Sequence, residues 1–82
     1  MLTTGNQLKA ARALIGMEQF KLAELARLNV NTIRNMEAAG AGPIAGRSVN
    51  VQAVQRALEA EGLQFIPQDS GGPGVRLRDP LP

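Results

Sequence analysis

The chain has 82 residues, with nine Lys and Arg against seven Asp and Glu, neither Cys nor His, and only two aromatic residues, Phe20 and Phe65. That length allows one small domain and not two cores, so a monomer is expected to be marginally stable, with a dimer as the natural remedy. The absence of Cys excludes disulfides and thiolate metal sites and fits a reducing cytoplasm, while a net charge of +2 permits nucleic-acid binding without requiring it.

Thr4-Gly-Asn-Gln7 is a capping-box arrangement, in which the Thr4 hydroxyl and the Gln7 side chain satisfy the first free N–H groups of a helix. A first helix is therefore predicted from about Gly5 to Ile15, with Leu8, Ala11 and Ile15 as its apolar stripe and Gly16 as its left-handed exit. Lys9 belongs on the solvated side. Arg12 stands beside the stripe and reads either as a snorkelling surface residue or as half of an ion pair.

A second helix begins near Glu18 or Gln19 and places Leu22, Ala23 and Ala26 on one side. Phe20 is either a surface aromatic for partner contact or a residue folded back onto the first helix, and we expect the packed arrangement. In the turn Arg27-Leu28-Asn29, Leu28 plugs the angle between helices and Asn29 caps the next one. The third helix runs from Val30 to about Ala38, with Ile33 and Met36 inward and Val30, Asn31, Arg34 and Asn35 outward. Two short helices joined by a tight turn are the pattern of a helix-turn-helix.

Through Gln19, Leu22-Ala23, Ala26, Thr32-Ile33 and Glu37 the chain resembles the Cro and phage-repressor class of DNA-binding domains, also called the XRE family. The match is good along Gln19–Glu37 and extends more loosely from about Thr4 to about Leu58. The resemblance implies a pair between Arg12 and Glu37 across the first and third helices, and a third helix that enters the major groove. Asn31 and Asn35 can then pair with adenine, Arg34 can pair with guanine or hold a phosphate, and Val30 can touch a thymine methyl. Gln19, Asn29, Thr32 and Arg47 are the expected phosphate contacts. The family's usual turn glycine is Arg27 here. Positive φ costs a non-glycine residue about 1 kcal/mol, so the turn is either reshaped or strained.

Ala38 to Asn50 is rich in Gly and small residues with Pro43 in the middle, and is expected to be a flexible loop. Gly40-Ala-Gly42-Pro-Ile-Ala45 matches a dinucleotide fingerprint, but the preceding strand that this fingerprint needs is missing. A fourth helix should begin near Ser48 or Asn50 and continue to Glu61, with Val51, Val54 and Leu58 inward and Gln52, Gln55, Arg56 and Glu59 outward. Leu63–Ile66 and Gly74–Arg78 alternate as two strands around a Gly-rich turn. An isolated hairpin is marginal in water, so it must lean on the helices or pair with another chain. We expect the second, with Phe65, Ile66, Val75 and Leu77 at a dimer interface.

Without His or Cys, and without a spaced carboxylate cluster, neither catalysis nor a bound metal or cofactor is expected. No apolar run approaches the roughly 20 residues of a membrane span, and the start lacks a signal-peptide layout, so a soluble cytoplasmic protein is expected. The fold expected is mainly α: a four-helix repressor-like helix-turn-helix domain at residues 1–62, then a short C-terminal β-hairpin at residues 63–82. The function expected is transcriptional regulation by a homodimer on duplex DNA with a palindromic operator. The alternative is a protein-interaction module, antiactivator or antitoxin-like, docking through the same helices.

Overall fold

A computed structural model describes residues Met1–Pro82. It contains four helices, α1 (Gly5–Ile15), α2 (Gln19–Ala26), α3 (Val30–Glu37) and α4 (Ser48–Ala60), followed by strands β1 (Leu63–Ile66) and β2 (Gly74–Leu77). The architecture is mainly α with a C-terminal antiparallel hairpin. No helix is long and apolar enough to cross a membrane.

Local chemistry explains the helix boundaries. The Thr4 side chain accepts from the Gln7 N–H at 3.1 Å while Gln7 Oε1 accepts from the Thr4 N–H at 2.9 Å, closing the capping box. Gly16 then turns the chain at φ 63°. The α2 exit is made by Arg27 itself at φ 58°, the one non-glycine residue with positive φ. The turn is thus strained rather than reshaped, and Leu28 N–H still reaches Ala23 O at 2.9 Å. The first residue of α4 is Ser48, and the capping position belongs to Arg47, whose side chain makes no capping bond. Ser48 and Asn50 both have cap-forming side chains, yet both lie inside the helix and neither caps it.

The core is aliphatic apart from Phe65. Leu8 and Ala11 of α1, Leu22 and Ala23 of α2, Ile33 and Met36 of α3, and Val54 and Leu58 of α4 are all buried. Leu2, Leu63 and Phe65 complete it from outside the helices. Each fully buried Leu or Ile contributes about 1.5–3 kcal/mol relative to exposure.

Four readings of the sequence are overturned here. The hairpin leans on its own helices, β2 against α1 and β1 against α4. Phe65 is buried, and Val75 and Leu77 are half-buried against the core, so the hairpin does not depend on a second copy to cover these three. Ile66 is half-buried on the opposite side of the hairpin. Phe20 is 69 % exposed and does not pack on α1. Gln55 turns inward, its Oε1 accepting the Leu2 N–H at 2.9 Å. The loop after α3 is pinned by the N-terminal segment: Ile44 N–H donates to Thr3 O at 2.8 Å, Thr4 bridges Pro43, and Asn6 N–H reaches Gly40 O at 2.8 Å.

That last contact has a steric basis. A Cβ on Gly5 would stand 2.7 Å from the carbonyl oxygens of both Met36 and Glu37 and 2.8 Å from the Gly40 nitrogen. Only a glycine lets the start of α1 touch the end of α3 at this separation.

Candidate nucleic-acid interface

The hydrophobic side of α3 comes from Ile33 and Met36, three residues apart, and both are buried. Val30, a further three residues back, lies on the same side and leans against the core. It is half-buried rather than fully outward. Asn31, Arg34 and Asn35 occupy the opposite, exposed side. Arg34 Nη1 donates to Asn31 Oδ1 at 2.9 Å, so these side chains are paired with each other. The Asn31 amide protons and the other Arg34 donors stay available. The only acidic residue of α3, Glu37, is buried, so the exposed side of this helix carries positive charge and amides alone.

A polar knot fixes α3 from behind. Arg12 grips both oxygens of Glu37 through Nε and Nη2, the second at 2.9 Å, and its Nη1 donates to Met17 O at 2.9 Å. Gln19 Nε2 adds a bond to Glu37 Oε1 at 3.0 Å. One guanidinium therefore holds the end of α3 and the entry to α2 in register with α1. The fork geometry suits Arg and could not be reproduced by Lys. Gln19, expected at a phosphate, has one amide proton engaged in this knot and one left over.

Asn29 Oδ1 accepts from the Asn31 N–H at 2.8 Å and so caps α3, and the residue is exposed. Thr32 is half-buried beside it. Arg47 is exposed at the start of α4 and makes no ion pair. The structure therefore gathers half-buried Arg12 and Gln19 around buried Glu37 in one cluster, and Asn31, Arg34 and Asn35 onto one exposed strip, with Arg47 beyond the loop. Phe65 belongs to the interior, and Val75 and Leu77 are half-buried against it.

The supporting residues missed in the sequence are Leu2, Gln7 and Gln55. Gln7 is 4 % exposed and bonds to Thr3, Thr4, Met1 O and Gly74 O. Its place in the capping box marked it as a local residue and gave no sign of the longer bonds. No protein-family model matches the chain, and no curated protein matches its sequence.

Proposed function

We propose that the chain is a duplex-DNA-binding regulator in which α2 and α3 form a repressor-like helix-turn-helix of the Cro and phage-repressor kind. The observation that carries this reading is the exposed strip of Asn31, Arg34 and Asn35, free of acidic residues, on a helix anchored from behind by Ile33, Met36 and Glu37. An α-helix fits the major groove, where Asn and Arg have the donors and acceptors to read adenine and guanine. Asn29, Gln19 and Arg47 supply donors for phosphates, and Thr32 assists from a half-buried position. Val30 adds an apolar edge and no more. Neither catalysis nor a cofactor is part of this reading.

Titration against random duplex at two salt concentrations tests it, because log K falls by about 0.9 per decade of salt for each phosphate neutralised. Selection from a random DNA pool should then return a recurrent site. Binding that ignores salt, or a pool that stays random, would overturn the proposal. A second reading, a module that docks on a protein, draws support from Phe20, a large aromatic left 69 % exposed on α2. Phe20→Ser should leave DNA affinity unchanged if α3 is the reader.

A further inference from the structure

The hairpin ends in an open edge. Its register pairs Leu63 with Leu77, Gln64 with Arg76, Phe65 with Val75 and Ile66 with Gly74. Arg78 N–H donates to Gly62 O at 2.8 Å, which makes Gly62 and Arg78 a hydrogen-bonded pair. Such pairs alternate in antiparallel ladders. Gln64 with Arg76 and Ile66 with Gly74 are therefore the other bonded pairs, and the N–H and C=O groups of Val75 and Leu77 point away from β1. No turn, loop or side chain elsewhere in the chain takes them up. The corresponding edge of β1 is closed, since Leu63 and Phe65 are buried, whereas Val75 and Leu77 are half-buried and Arg76 is exposed.

We propose that this outer edge of β2 is a docking site for an extended acidic segment of a protein partner, added as a third strand. Unpaired main-chain groups on a strand edge give affinity without sequence, and the flanking side chains choose the occupant. Arg76 uses Nε on Gln64 Oε1 at 2.8 Å, leaving its terminal nitrogens free as the main cation of the edge; Arg78 follows two positions on along the same face, already shared with Glu59 O at 3.4 Å and Asp79 at 4.0 Å. On the helix side β2 packs against α1, and Gln7 fixes the two together through Gly74 O at 3.0 Å. Leu14, seven residues and two turns beyond Gln7, lies on that same side and is 46 % exposed. An added strand with acidic residues toward Arg76 and apolar residues toward Leu14 matches both faces.

A second copy of the chain fits worse. A two-fold pairing of two β2 edges that joins Val75 to Leu77 sets Arg76 opposite Arg76. One centred on Leu77 sets Arg76 opposite Arg78. One centred on Val75 sets Leu77 against Pro73, which has no N–H to give. Like charges directly opposite are unfavourable, and charged edges discourage self-association. The arginines that repel a copy attract an acidic strand.

The probe is an alternating Glu-Val peptide of about eight residues, titrated into the full chain and followed by amide NMR and hydrogen exchange. The expected result is saturable perturbation at Val75, Arg76 and Leu77, with slowed exchange at the Val75 and Leu77 amides. A Lys-Val peptide should not bind, and methylating alternate peptide nitrogens of the Glu-Val probe should abolish binding. Arg76→Glu should weaken the Glu-Val peptide about fivefold and favour the Lys-Val one, and Leu14→Asp should weaken it independently. β2 packs on α1 while α3 packs on α1 and α2, so DNA titrations should be unaffected by the peptide, and failure of one site leaves the other standing. Absence of saturable binding at about 1 mM peptide, or perturbation centred elsewhere, would overturn the proposal. So would concentration-dependent protection of Val75 and Leu77 without peptide, which would assign the edge to a second copy.

Discussion

Arg12 is held by Glu37 and Met17, and its removal strands a carboxylate that is 3 % exposed with Gln19 as its remaining side-chain donor. Breaking such a buried pair costs about 3–5 kcal/mol. Arg12→Met and Glu37→Leu are each expected to lower stability by about 3 kcal/mol, and the double variant by clearly less than their sum. Urea melts of the three proteins measure this, and simple additivity would contradict a coupled pair. Arg27 poses the opposite case, a residue at φ 58° in a conformation that glycine adopts freely. Relief of about 1–2 kcal/mol of left-handed strain exceeds the entropy that glycine loses on folding. Arg27→Gly should therefore raise the melting temperature by a few degrees, and a lower value would show that the Arg27 side chain contributes more than its strain costs. On α3, the proposed reading helix, Asn31→Ala should cost about 1–3 kcal/mol in specific affinity while leaving nonspecific binding nearly unchanged, whereas Arg47→Ala should weaken both alike. A site preference undisturbed by Asn31→Ala would remove that residue from the reading strip.

Among the elements, the hairpin departs furthest from expectation. Leu63 is 1 % exposed and Phe65 is 6 % exposed, so truncation after Gly62 should not release intact helices. The loss of a buried Leu and a buried Phe, about 2–5 kcal/mol each by the usual cost of deleting such side chains, is comparable with the whole stability of a small domain. Circular dichroism of the truncated chain should show loss of the helical melt; a cooperative, native-like melt would return the hairpin to the role of an appendage. Helix and strand positions were legible because their signals are local. Thr4 with Gln7, Gly16, Asn29 and the Ile33–Met36 spacing each act within a few residues. The outward placement of Asn31, Arg34 and Asn35 followed from the same periodicity, and so could the inward lean of Val30, three residues before Ile33. What covers the hairpin depends on contacts such as Gln7 with Gly74, 67 positions apart, and these leave no local trace. Phe20 was misplaced because an aromatic side chain in a small protein is more often packed than exposed.

At the scale of the whole molecule, the proposed regulator needs a second reading helix about 34 Å from the first, one turn of duplex, and therefore a roughly palindromic site. With Phe65 buried and Val75 and Leu77 half-buried against the core, the more exposed surfaces that could join two copies are α4 through Val49, 62 % exposed, and α2 through Phe20, 69 % exposed, and a substitution at Val49 tests α4. Sedimentation of the full chain with a selected duplex should give two protomers per site, and Val49→Asp should reduce this to one while sparing the fold. One protomer per site in the unaltered chain would end the dimer proposal. The bond from Gln7 to Gly74 reaches across 67 positions and bears on how the protein is made. Synthesis proceeds at about 5–20 residues per second and folding follows it from the N-terminal side. Gln7 therefore leaves the ribosome several seconds before the partner of its side-chain nitrogen, Gly74, 67 positions later. The helices can gather before then, and the bond that ties α1 to β2 is expected to close only once the hairpin has been made.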